Sequence, residues 1–180
     1  MTRDAGFDPI HVIEVLTRHH VEFVLVGGYA AMLYGARRPT YDIDITPSTA
    51  RANLQRLSDA LRELQAGIRI DDLDDALPFD SSAKSLRGIQ MLNLRTPSGD
   101  LDITFAPAGF PDGYAALRPG AHPYTVGLMQ SVAGQFRTTA GVADAHIGSR
   151  PAEGTRAMSG IAAGVEIFVP IAKLKKSPRN

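Results

Sequence analysis

The chain contains no cysteine, which excludes disulfides and thiolate metal sites. It also carries no net charge: 19 Lys and Arg offset 19 Asp and Glu. Whole-chain electrostatics therefore do not point to nucleic acid, although a local basic patch could still bind it. Long uncharged apolar runs are missing as well. The N-terminal stretch "MTRDAGFDPIHVIEVL" is neither a signal peptide nor a membrane span, so a soluble cytoplasmic protein without a membrane partner is expected. Lysine is scarce and unevenly placed: of four, Lys173, Lys175 and Lys176 fall in the last eight residues, and arginine supplies the remaining positive charge. No internal repeat is visible. What is present is an ordinary apolar fraction of 44% over 180 residues, enough for one domain with a small appendage.

Hydrophobic periodicity divides the first two thirds of the chain into elements. Asp8–His20 has a broad helical stripe of Ile10, Val12, Ile13, Val15 and Leu16, with Asp8 as N-cap and Pro9 at the first helical position. Val21–Gly28 is short, β-branched and apolar, a buried strand ending at glycine. Gly28–Ala36 reads as a short helix, and Tyr41–Pro47 alternates as a half-buried strand does. Ser48–Ala66 is an amphipathic helix with Leu54, Leu57, Leu61 and Leu64 on its stripe and Ser48 or Thr49 as cap. Ile89–Pro107 reads as a hairpin turning at Ser98–Gly99. Its second strand places Asp100, Asp102 and Thr104 on one face and Leu101, Ile103 and Phe105 on the other. Beyond Leu117 periodicity weakens. A short helix around Val126–Phe136 and a last strand within Ala163–Leu174 are the expected elements there.

The chemistry concentrates in "VGGYAAMLYGARRPTYDIDI", Val26–Ile45. Residues i and i+2 of a strand share a face, so Asp42 and Asp44 project together while Ile43 and Ile45 turn to the core. Two carboxylates at that spacing repel unless solvent screens them or a cation joins them. Mg²⁺ takes one or two carboxylates together with water and phosphate oxygens, and a pair of such ions can clamp a phosphoryl or nucleotidyl transfer. Gly27 and Gly28 would let a ligand approach the backbone, or simply make a tight strand-to-helix turn. Arg37 and Arg38 could pair with triphosphate oxygens, or neutralise the aspartates structurally. Asp102 supplies a third carboxylate if its strand lies beside Asp42–Asp44. The acidic run Asp71, Asp72, Asp74 and Asp75 lacks the glycine and terminal glutamate of a calcium loop and reads as a solvated turn. The five histidines show no metal spacing, and His19–His20 suit a helix end.

In the stretches "FVLVGGYAAMLYGARRPTYDIDI" and "LNLRTPSGDLDITF" the sequence resembles the polymerase-β-type nucleotidyltransferase superfamily, above all the bacterial branch of AbiEii/MenT-like toxins of type IV toxin–antitoxin systems. The resemblance covers roughly residues 8–115. It implies an α+β nucleotidyltransferase fold, a small mixed β-sheet flanked by helices, with the core in residues 1–115. Residues 116–180 would be a less defined segment ending in a strand and short basic tail, packed on the same domain. It implies Asp42, Asp44 and Asp102 as catalytic residues and ligands of Mg²⁺ (or Mn²⁺), with Asp102 as general base. Gly27, Gly28, Arg38 and one of Lys173, Lys175 or Lys176 would contact the triphosphate, with Lys173 the first choice; the Thr40 hydroxyl could reach the bound phosphates or make a structural hydrogen bond instead. The implied reaction moves a nucleoside monophosphate from an NTP to a hydroxyl, with tRNA as acceptor and a cognate antitoxin protein as further partner. An antibiotic-modifying transferase and a degenerate nucleotide-binding relative without turnover are the alternatives. Relatives continue past the last strand into a lysine-bearing helix and a further helical part, where this sequence ends at "VPIAKLKKSPRN".

Overall fold

The computed structural model describes residues 6–126 and 165–170. Its elements in chain order are α1 (Pro9–Arg18), β1 (Phe23–Val26), α2 (Gly27–Leu33), β2 (Asp42–Pro47), α3 (Arg51–Glu63), β3 (Gly67–Ile68), β4 (Met91–Thr96), β5 (Gly99–Thr104), α4 (Tyr114–Leu117), β6 (Ala121–Val126) and β7 (Val165–Pro170). The architecture is mixed α+β. Five strands form one sheet in the order β1-β2-β5-β4-β3, and β6 and β7 pair as a separate antiparallel ribbon. Within the five-stranded sheet β2 and β5 run parallel, and every other neighbouring pair is antiparallel.

The period-two pattern accounts for how this sheet is covered. Leu25, Ile43, Ile45, Leu94, Leu101 and Ile103 point to one face and are fully buried, and α1 and α3 lie over them with Ile13, Leu16, Leu54, Leu57 and Leu61. All five apolar residues of the α1 stripe are buried, and Asp8 caps the helix by accepting the His11 N–H at 3.0 Å, with Pro9 behind it. Burying each of these aliphatic side chains stabilises the fold by about 1.5–3 kcal/mol. The opposite face carries Asp42, Asp44, Asp100, Asp102 and Thr104, all half-buried. Among the described residues, no helix is long and apolar enough to cross a membrane.

Three expectations change in detail. The two glycines open α2 instead of closing the preceding strand, which ends at Val26. The hairpin turns at Pro97–Ser98, because Thr96 pairs with Gly99 and Gly99 is already the first residue of β5. Neither Ser48 nor Thr49 caps α3: the N-cap is Ala50, without a side-chain hydrogen bond. Asn53 takes over the work of tying that end. It is buried, its Oδ1 accepts the Glu22 N–H at 2.7 Å, and its Nδ2 donates to the carbonyls of Glu22 at 3.0 Å and Ser48 at 2.8 Å. One amide therefore joins the α1–β1 connection to the start of α3. The expected helix around Val126–Phe136 lies outside the described residues.

Replacing Asn53 with Ala strands two carbonyls and an N–H in a water-poor position. Urea denaturation should show a loss of about 2–3 kcal/mol, whereas Ala at the exposed neighbour Gln55 should change stability by under about 0.5 kcal/mol.

Candidate metal centre

Register builds the site. Because β2 and β5 are parallel, Asp42 stands opposite Asp100 and Asp44 opposite Asp102. The carboxylates of Asp42, Asp44 and Asp102 converge, each offering an oxygen within 4.8 Å of the others. This is the only group of three or more metal-ligating side chains among the described residues. The run Asp71–Asp75 is exposed.

The backbone around Asp44 is shaped to its carboxylate. Gly27 has φ +68°, and a Cβ there would lie 1.9 Å from Asp44 Oδ2. Glycine at 27 is thus demanded both by the left-handed conformation and by the aspartate packed against it. The Gly28 N–H donates to the Asp44 carboxylate. A Cβ on Gly28 would meet Thr40 Oγ1 at 2.6 Å. Thr40 in turn donates its hydroxyl proton to Asp42 Oδ1, so the threonine orients the first carboxylate of the pair.

Crowding shows in proton affinity. Asp44 is pushed up to about 6, first by burial and then by the charges of Asp42 and Asp102, against the opposing pull of the Gly28 N–H and Arg69. Burial also raises Asp102, while Arg69 works against that shift. Asp102 Oδ1 is buried and accepts no hydrogen bond. Arg69 Nη2 lies 3.1 Å away, but it directs its hydrogen bond to the other oxygen, Oδ2. A buried carboxylate oxygen without a donor, beside two further carboxylates, suits a divalent cation with oxygen ligands. The residues present fit such an ion.

Arg69 is the functional side chain that sequence reasoning missed. The Arg69 N–H donates to the Asn93 carbonyl at 2.9 Å, and Asn93 pairs with Asp102, so Arg69 falls in the same cross-sheet row as Asp102 and Asp44. Its guanidinium reaches across β4 to Asp100 Oδ2 at 3.0 Å and to Asp102. Arg95 meets Asp100 from β4 at 3.4 Å and donates to the carbonyls of Leu73 and Asp74, both at 2.7 Å, which anchors the acidic turn. Among the described residues, the cations paired with carboxylates of this face are therefore Arg69, on Asp100 and Asp102, and Arg95, on Asp100. Arg37 and Arg38 are exposed and make no ion pair with a described residue.

An open cleft of about 710 Å³ lies over the site, walled by residues that include Gly28, Arg38, Thr40, Asp42, Asp44 and Arg69. Asp71 reaches its rim. Lys173, Lys175 and Lys176 lie outside the described residues. No protein-family model matches the chain, and no curated protein matches it.

Two outcomes follow from this geometry. Gly27→Ala should lose roughly 2–3 kcal/mol by chemical denaturation, from backbone strain plus the collision with Asp44. The second concerns Asp44, whose folded-state value lies above its ordinary 3.8. Between pH 3.8 and about 6 the unfolded chain sheds this proton more readily than the folded one, so its contribution to stability is complete below 3.8 and is lost as pH rises through 6. Asp44→Asn should therefore be more stable than wild type in EDTA at pH 7.5, on the order of 1 kcal/mol after allowing for solvent screening of a half-exposed group. The gain should vanish toward pH 4. A gain independent of pH in thermal melts would refute this account of Asp44.

Proposed function

We propose that the chain is a metal-dependent nucleotidyltransferase of the polymerase-β type, acting on tRNA as the toxin of a toxin–antitoxin pair. The convergence of Asp42, Asp44 and Asp102 within 4.8 Å carries the reading. A parallel β2–β5 pair in an otherwise antiparallel sheet, with helices on one face and carboxylates on the other, supports a nucleotidyltransferase fold. Exposed Arg38 in the cleft wall supports a phosphate-bearing substrate, since its guanidinium is uncommitted to the aspartates.

In this reading Asp42, Asp44 and Asp102 hold Mg²⁺ or Mn²⁺, which when bound neutralises charge at the α-phosphate and orients the attacking oxygen. The acceptor hydroxyl attacks the α-phosphorus of the NTP. A new P–O bond forms, the bond to the β-phosphate oxygen breaks, and pyrophosphate leaves. Asp102 takes the hydroxyl proton; burial strengthens its affinity for it. Thr40 keeps Asp42 oriented, Gly28 keeps Asp44 oriented, and Arg38 binds phosphate oxygens. A cognate antitoxin is the expected protein partner, and the cytoplasm, where NTP and tRNA are found, the expected location.

A second reading keeps the chemistry and changes the acceptor. Asp71 at the cleft rim would favour a cationic small molecule such as an aminoglycoside over an RNA.

The test is label transfer from each of four α-labelled NTPs, with Mg²⁺ and total bacterial RNA, beside Asp42→Ala. Labelled RNA of tRNA size is expected, reduced to background in the variant. Label transferred to an aminoglycoside and not to RNA would select the second reading. Absence of transfer to either acceptor would remove the transferase proposal.

A further inference from the structure

Arg69 sits where a metal ligand would otherwise be free. Its side chain and that of Asp102 are each only 18% exposed, so the pair is shielded on most sides. One guanidinium nitrogen lies 3.0 Å from Asp100 and the other 3.1 Å from both oxygens of Asp102. The hydrogen bond to Asp102 uses Oδ2 and leaves Oδ1 without a donor. The arginine therefore holds Asp102 by one oxygen and by charge. Asp100 is held twice, by Arg69 and by Arg95. The fork thus spans both aspartates, with Nη1 beside Asp100 and Nη2 hydrogen-bonded to Asp102.

We propose that Arg69 is a tethered counter-cation of this site: it keeps Asp102 beside Asp42 and Asp44 when the metal is absent, and it competes with the divalent ion for Asp102. The proposal rests on the triad binding a divalent cation and on no feature of the nucleotidyl reaction. Loading the site requires Asp102 to share or surrender its contact with Nη2, while Nη1 stays on Asp100. The positive charge beside the triad thus weakens divalent binding and stabilises the metal-free fold.

The measurement is Mn²⁺ binding to the full chain at pH 8 without nucleotide, by electron paramagnetic resonance of free Mn²⁺, with melting curves in EDTA. Arg69→Met removes the charge and keeps much of the side-chain volume. It should melt below wild type in EDTA and bind Mn²⁺ roughly tenfold more tightly. Arg69→Lys, which keeps the charge but not the fork, should retain weak Mn²⁺ binding close to wild type. A merely structural role would weaken metal binding along with the fold, the opposite sign. A folded Arg69→Met that binds Mn²⁺ no more tightly than a binding-competent wild type overturns this proposal and leaves the metal reading standing. Absence of Mn²⁺ binding in wild type and every Arg69 variant overturns both. Should Arg69→Met fail to fold, Arg69→Gln carries the same comparison.

Discussion

Parallel pairing of β2 with β5 is the constraint around which the rest of the molecule is arranged. In that register Asp42 faces Asp100 and Asp44 faces Asp102, so four carboxylates occupy a small patch of one sheet face. Asp42, Asp44 and Asp102 bring oxygens within 4.8 Å of one another, where each ionised pair repels by about 3 kcal/mol at an effective dielectric near 20. The fold tolerates this because the other face of the same strands is a dense apolar layer under α1 and α3. Ile43, Ile45, Leu101 and Ile103 cannot leave that layer, and the strand pleat then leaves the aspartates no alternative direction. Gly27 must lack a side chain because Asp44 occupies the space, and Thr40 and the Gly28 N–H are committed to the same carboxylates.

Charge balance at the patch follows from the same register. Four carboxylates are met by two guanidiniums, Arg69 and Arg95, both of which engage Asp100. The excess of two negative charges falls on the Asp42–Asp44–Asp102 side and equals the charge of one divalent ion. The raised proton affinity of Asp44 comes first from burial and then from the charges of Asp42 and Asp102 on that side. Arg38, in the cleft wall, lies outside this balance.

Features that depend on local period were legible in the sequence. The buried stripe of α1 and its Asp8–Pro9 start, the Asp42–Asp44 face and the Asp100–Asp102 face all follow from spacing alone, and each lies where spacing put it. The adjacency of β2 and β5 was conditional, because a strand's neighbours are chosen by long-range packing that no local pattern records. Arg69 was missed for a related reason. β3 has only two residues, too few to show alternation, and Arg69 follows it directly, so its place in the Asp102 row appears only once β3, β4 and β5 are aligned. The misplaced α3 cap has the opposite cause: Ser48 and Thr49 are good local candidates, but a buried Asn53 with two backbone partners outside the helix already fixes that end.

The adjacent arginines at 37 and 38 show how proximity in sequence misleads about charge. They stand only a few residues before Asp42, and structural neutralisation of the acidic strand was one reading of them. Among the described residues no cation pairs with Asp42 or Asp44, and the arginines that meet carboxylates of this face, at 69 and 95, arrive from across the sheet onto Asp100 and Asp102. A guanidinium on a flanking loop would have to fold back over the strand end, where water screens it. One arriving along a cross-sheet row meets two carboxylates at once in a half-buried setting, where Coulomb attraction is several times stronger. The arrangement separates two tasks that a single arginine could not combine. A cation locked into the sheet keeps like charges together in the folded chain, and a cation left on the exposed loop remains available to an anion from solution.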